Sequence, residues 1–188
     1  MTRQNLRILG VNAHPHDFTH YAGTLGIHAS MGDKVTVVTM TSGTDTHNEK
    51  LADELRKPMA DRDLAIINQS MEEYAAIKLD ELRRSCAMFG VTDVRSLDFP
   101  QPFSVQNSPE AIEVLKAIIL ELQPNIMIPQ SPYLKGPNGF PDGTRDDHTE
   151  TAYVSIEARQ EAKKASFGST LPPHTIAATY FPGIYFER

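Results

Sequence analysis

The stretch Ile8-Leu9-Gly10-Val11, followed after Asn12 by Ala13-His14-Pro15-His16-Asp17, decides how this chain is read. The first part is a short apolar run with the texture of a buried strand. The second places two imidazoles and a carboxylate where that strand gives out. Strands of open parallel sheets present functional groups at their carboxyl ends, in the crevice where ligands bind. His14 and Asp17, three residues apart and separated by a proline that stiffens the turn, suit one divalent metal ion. Imidazole nitrogen and carboxylate oxygen are both ordinary zinc ligands, and a catalytic zinc commonly has three protein ligands and a water. The third candidate is distant in sequence: His148, within Arg145-Asp146-Asp147-His148.

Working outward, the pattern alternates strands with helices. Strand-like runs occur at Leu6 to Val11, Val35 to Met40, Val94 to Phe99 and Asn125 to Pro129. They are apolar and β-branched without strict alternation, as expected of strands buried on both faces. Helical spacing falls between them. A first helix is expected over Tyr21 to Met31, stopped by Gly32-Asp33, and a second over Arg62 to Phe89, closing at Gly90. A third is expected over Pro109 to Leu122, with Ser108 as N-cap and Pro109 at the first helical position. A fourth is expected from His148 to Lys164, and one or two further strands in Ile176 to Phe186. This order predicts an α/β fold, Rossmann-like, with three αβα layers, right-handed crossovers and a mainly parallel sheet. Ser131 to Gly143 holds too many prolines and glycines for regular structure and is expected to be a functional loop. No repeat or linker divides the chain, so residues 1–188 are expected to form a single domain.

Composition narrows the functional classes. The 188 residues are 40% hydrophobic and 22% charged, enough for one real core. A net charge of -6, without a basic run, gives no reason to expect nucleic acid. The single cysteine, Cys86, excludes an internal disulfide framework and any multi-cysteine zinc site, and its helical neighbours mark it as a core residue. Met1 to Asn5 carries no apolar signal core, and no run reaches the roughly 18 apolar residues of a membrane span. A cytoplasmic location is the expectation. The first turn lacks G-x-G-x-x-G, and neither a Walker-type loop nor a G-x-S-x-G elbow occurs, which argues against NAD, ATP and a serine nucleophile.

Further motifs follow in order: Ala22-Gly23-Thr24-Leu25 after the histidine turn, Thr41-Ser42-Gly43 after the second strand, Lys78-Leu79-Asp80-Glu81 with Phe89-Gly90, and Arg145-Asp146-Asp147-His148. Together these resemble the LmbE/PIG-L deacetylases, zinc hydrolases that remove acetyl groups from molecules containing N-acetylglucosamine. The resemblance covers Arg7 to Ala158. It implies one zinc ion per chain, held by His14, Asp17 and His148. It also implies Asp147 as a carboxylate that fixes an imidazole or the metal-bound water, and hydrolysis of a small N-acetylated substrate.

Four departures qualify that expectation. The family's general base is the first Asp of a His-Pro-Asp-Asp turn, where this chain has His16. Histidine titrates near neutrality and suits a base or proton shuttle, but beside a cation its protonated form is disfavoured. An additional ligand and a substitution that abolishes turnover stay open beside the base. Arg145 replaces the first His of His-x-Asp-His and, always charged, would clamp an oxyanion or a substrate carboxylate. Lys78 replaces an arginine, and Gln101, after Leu97-Asp98-Phe99-Pro100, replaces a substrate-binding aspartate. These changes would tilt the pocket toward an anionic ligand. They keep two alternatives alive: a zinc-dependent hydratase of an unsaturated polycarboxylic acid, akin to 4-oxalomesaconate hydratase, since such members also lack the Asp base and follow the turn with Phe, here Phe18, or a degenerate metal-binding homologue.

Of the remaining polar residues, His20 is expected to serve the geometry of the helix start, and His28 to be a surface or packing residue. Thr44 to Glu49 should border the crevice, as substrate contacts or as a solvated loop, and Tyr133 and Asn138 are candidate contacts in a lid. Met71 and Met88 fit helical core positions. A homo-oligomer in which a partner subunit completes part of the pocket is left open.

Overall fold

Ile8 to Val11 lie in the middle strand of a five-stranded parallel sheet. The computed structural model describes residues 4–44, 48–132, 146–164 and 170–182. The strands are β1 (Arg7–Asn12), β2 (Lys34–Thr39), β3 (Asp93–Ser96), β4 (Ile126–Ile128) and β5 (Ala178–Thr179), in the order β3-β2-β1-β4-β5. β1 pairs with β2 on one side, Leu9 facing Thr36, and with β4 on the other, Leu9 facing Met127. The chain reverses its direction of travel across the sheet between β1 and β4. Their carboxyl ends therefore diverge into the crevice typical of doubly wound folds.

Alternation along β1 divides the core. Leu9 and Val11 join Val38, Met40 and Met127 beneath α5 (Ala111–Leu122) and α6 (Asp147–Ala162), with Leu115, Ile119, Val154 and Ala158 from the helices. Ile8 faces the other layer, where α1 (Ala22–Ser30) and α4 (Met71–Met88) contribute Leu25, Leu82 and Cys86. The fold is the expected Rossmann-like αβα arrangement. Gly10 lets one layer approach closely: a Cβ there would stand 3.0 Å from Tyr21 Cε2. Gly90 closes α4 at φ +76°, its N–H on the Ala87 carbonyl and the Val91 N–H on that of Cys86, which is the Schellman pairing.

Several boundaries differ from the sequence expectation. The long helix expected over Arg62 to Phe89 is broken: α3 (Leu64–Ile67) is a single turn, and α4 starts only at Met71. Ser70 and Glu73 form a reciprocal capping box there, satisfying two backbone donors and fixing a true helix start. An unexpected helix, α2 (Glu49–Arg56), starts at the last residue of the Thr44 to Glu49 segment, capped by Asn48 accepting from Leu51 N–H. α5 begins at Ala111 with Glu110 at the cap, so Ser108 is not the N-cap. The Ser108 carbonyl instead accepts the Ala111 N–H in a preceding turn. Met71 and Met88 are exposed rather than core. Tyr133, Asn138 and Arg145, most of the expected loop, and the tail beyond Pro182 lie outside the described residues. No helix among the described residues is long and apolar enough to cross a membrane.

Candidate metal centre

Beyond Asn12 the backbone leaves β1 and enters a 3-10 turn, Pro15–His20, with Pro15 at its first position. That turn wraps Asp17 back onto its own start, and Asp17 Oδ2 accepts the His14 N–H at 2.8 Å. The two side chains face the same space, 2% exposed for His14 and fully buried for Asp17. His148 arrives from the first turn of α6, its Nε2 3.2 Å from Asp17 Oδ1. His16 Nε2 stands 3.4 Å from the same oxygen. The His16 ring stacks on that of His14 with centroids 5.3 Å apart, while His148 meets His14 edge-on at 4.9 Å. One donor atom from each of His14, His16, Asp17 and His148 lies within 4.8 Å of all the others.

Each ligand candidate has a partner behind it. His14 Nε2 faces Asp147 Oδ2 at 3.0 Å, and toward an ionised carboxylate that nitrogen is the donor. His14 Nδ1, buried and without a hydrogen-bond partner among the described residues, is then left with its lone pair on the side of the cluster. Asp147 also accepts from Gln101 Nε2 at 2.9 Å and from the Phe103 N–H at 2.8 Å. His148 Nδ1 faces Asp146 Oδ2 at 3.4 Å. An imidazole oriented by a carboxylate is the usual support of a metal-ligating histidine.

The electrostatics are those of a cation site. Burial pushes Asp17 up, but the hydrogen bond and charge of His148, with His14 behind them, hold it below the usual carboxylate range. Asp147 is lowered too, its burial outweighed by hydrogen bonds from His14, Gln101 and Phe103. Burial depresses His148, yet Asp146 and Asp17 overcome this and raise it to about 10. Three carboxylates held ionised around two imidazoles concentrate negative charge where a divalent ion would offset it. The buried, unpartnered Nδ1 and the mixed nitrogen and oxygen donor set both fit zinc.

The family model for PIG-L, described as GlcNAc-PI de-N-acetylase, matches residues 9–159. The chain belongs to this family. Curated relatives include the 1D-myo-inositol 2-acetamido-2-deoxy-alpha-D-glucopyranoside deacetylases of Thermomonospora curvata and Actinosynnema mirum. The first is 28% identical and aligns with 92% of this chain and 58% of its own length. The second is 30% identical, over 81% and 56% respectively. This PIG-L family chain thus spans somewhat over half the length of those relatives. Among solved structures, the 4-carboxy-2-hydroxymuconate hydratase of Pseudomonas putida KT2440 superposes with a TM-score of 0.71 at 19% identity, covering 93% of this chain and 64% of that one. The N,N'-diacetylchitobiose deacetylase of Pyrococcus horikoshii gives 0.68 at 24% identity, covering 90% and 57%. Both likenesses concern the fold.

The expected residues His14, His16, Asp17, Asp147 and His148 converge, while Arg145 lies outside the described residues. Asp146 and the inward role of Gln101 were missed. Asp146 was visible as a helix N-cap type of residue beside a histidine, but its partner could not be read from spacing alone. His20 does not cap α1, whose N-cap is Tyr21. It is half-buried near Asp17, His148 and Gln130, and burial lowers its pKa although Asp17 opposes this. His28 pairs with Asp33 at 2.7 Å, a packing role. Cys86 is a fully buried thiol pushed up to about 12 by burial.

Proposed function

We propose that this chain is a zinc-dependent hydrolase that removes the acetyl group from a small N-acetylated, amino-sugar-like substrate. The observation that carries the reading is the convergence of His14, Asp17 and His148, with His16 beside them, at the carboxyl edge between β1 and β4. The names of the curated relatives and the PIG-L match support the same chemistry. Residues 1–188 act in this reading as one catalytic unit, with a small molecule as partner.

His14, Asp17 and His148 would hold the ion. Zinc supplies Lewis acidity toward an amide carbonyl and makes water a nucleophile at neutral pH. His16, 40% exposed at the open side, would take a proton from the attacking water and return it to the leaving amine, work that histidine performs near neutral pH. Asp147 keeps His14 oriented. Arg145, by its place in the sequence three residues before His148, serves as the clamp for the developing oxyanion or a substrate group. Hydration of an unsaturated polycarboxylic acid is the second reading, carried by His16 in place of the family's aspartate.

Metal content by mass spectrometry and acetate release from N-acetylglucosamine conjugates test this together. About one zinc per chain is expected, lost in the His14→Ala, His148→Ala double variant. His16→Ala should keep the zinc while turnover falls about 100-fold or more, the usual worth of a general base. No zinc after reconstitution would end both enzyme readings. Zinc without acetate release, but with water addition to an unsaturated acid, would exchange the first reading for the second.

A further inference from the structure

Between the end of β3 and α5 the chain reads Phe99-Pro100-Gln101-Pro102-Phe103. Phe99 and Phe103 are buried in the core under α5 and α6, their ring centroids 5.7 Å apart. The three residues between them are thus pinned at both ends and stiffened by two prolines, whose φ is fixed. Gln101, half-buried on this short bridge, directs its amide at Asp147: Nε2 lies 2.9 Å from Oδ2. Its Oε1 lies 3.4 Å from the Thr44 hydroxyl. Only one orientation of the amide serves both, because the Asp147 carboxylate can only accept and Thr44 has a proton to donate.

Around an ionised Asp147 the contacts fall into one arrangement. Oδ1 takes the Phe103 N–H and Oδ2 takes the Gln101 N–H, and both of those groups are donors without acceptor capacity. Asp147 is held as a carboxylate with both oxygens engaged. Toward a carboxylate held in this way, the third group on it, His14 Nε2 at 3.0 Å, is the donor. A proton on Nε2 leaves the lone pair of the neutral ring on Nδ1, on the side where Asp17, His16 and His148 gather.

We propose that Gln101 is a positioning residue, which locks Asp147 as an acceptor and so sets the tautomer and orientation of His14 for metal binding. This rests on the metal-centre reading above. It replaces the expectation that residue 101 tunes the pocket toward an anionic ligand, since the amide is turned inward onto Asp147. An aspartate at this position, one methylene shorter, would bring no donor to Asp147. Gln101 therefore matches the rest of this chain's site rather than standing as a lost substrate contact.

Two near-isosteric variants test it, Gln101→Met and Gln101→Glu, each checked for native far-UV circular dichroism. The first readout is the ring nitrogen spectrum of His14 in metal-free protein, by two-bond nitrogen-proton correlation. Wild type should show the proton on Nε2, and the variants a mixture of tautomers. The second is zinc affinity by competition with a chromophoric chelator, expected to fall at least about tenfold, the usual cost of removing a group behind a ligand. Unchanged His14 ring signals in either folded variant overturn the proposal, whatever zinc does. Altered ring signals with unchanged zinc affinity would uphold Gln101 as the residue that orients His14 and remove His14 from the ligand set. If wild type binds no zinc, the ring signals still decide the role of Gln101, apart from the fate of the metal reading.

Discussion

Asp146 serves a helix and a histidine through its two oxygens. Oδ1 accepts the Thr149 N–H and hydroxyl, both at 2.9 Å, capping α6, while Oδ2 faces His148 Nδ1. These roles are separable by substitution. Asp146→Ala should lower stability by about 1 kcal/mol through loss of the cap and weaken zinc binding about tenfold through loss of the carboxylate behind His148. Asp146→Ser should restore most of the stability and none of the affinity. Urea midpoints and chelator competition on both variants measure the two effects, and parallel recovery in Asp146→Ser would refute the division. Much of the candidate site was legible because His14, His16 and Asp17 fall in one short turn. Asp146 and Gln101 were not, because their meaning lies in what they face, 2 and 46 residues away in sequence from His148 and Asp147.

At the scale of elements, close packing of α1's leading turn on β1 depends on Gly10. A methyl group there would meet the Tyr21 ring at 3.0 Å and the Leu25 side chain at 3.4 Å, and Tyr21 is tied by its hydroxyl to Asn12 at the end of the same strand. Tyr21 is buried and cannot swing aside cheaply. Gly10→Ala should therefore cost about 1–3 kcal/mol, as overpacking of a filled core does. A thermal melt unchanged from wild type would show that the layer can yield. β1, β2 and β4 were readable because buried parallel strands leave largely apolar runs, whereas β3, the half-buried Asp93–Ser96, stops short of the expected Phe99. Helix limits were less so. Apolar spacing continued through Leu64 to Ile67 and hid the break at Asn68 to Ser70, although the Ser70-Glu73 pair carried the signal for a new start. α2 escaped notice because Glu49 to Arg56 is short and mostly charged, with Leu51, Ala52 and Leu55 as its apolar residues and Leu55 half exposed.

For the molecule as a whole, acid should be the destabilising direction. Arg95 on β3 grips both Asp93 and the Glu121 carboxylate on α5, with contacts of 2.9 to 3.1 Å. Burial raises Asp93, but hydrogen bonds from Arg95 and Thr36 bring it below the usual range, and Arg95 lowers Glu121 directly. Carboxylates lowered in the folded state stabilise it above their unfolded values, near 4, and lose that contribution as pH falls through the folded values. Solvent reaches this cluster, so its worth stays at or under about 1 kcal/mol. Arg95→Met should thus melt below wild type at pH 7, with the gap narrowing as pH falls below about 4. A gap that stays constant across that range would refute the assignment. The layered αβα architecture and the parallel sheet were legible from the alternation of elements, while the strand order needed the structure. The precise neighbours of each ligand needed the fold.

The contact between Asp17 and His148 spans 131 residues of chain. Closing a flexible loop of that length costs about 4 kcal/mol of chain entropy, which no single imidazole–carboxylate contact repays. The two halves of the cradle can meet only after β1 has paired with β4 and α6 has docked. An ion held there as proposed would find a cradle already assembled by the apolar core, and would join the chain late in folding rather than nucleate it.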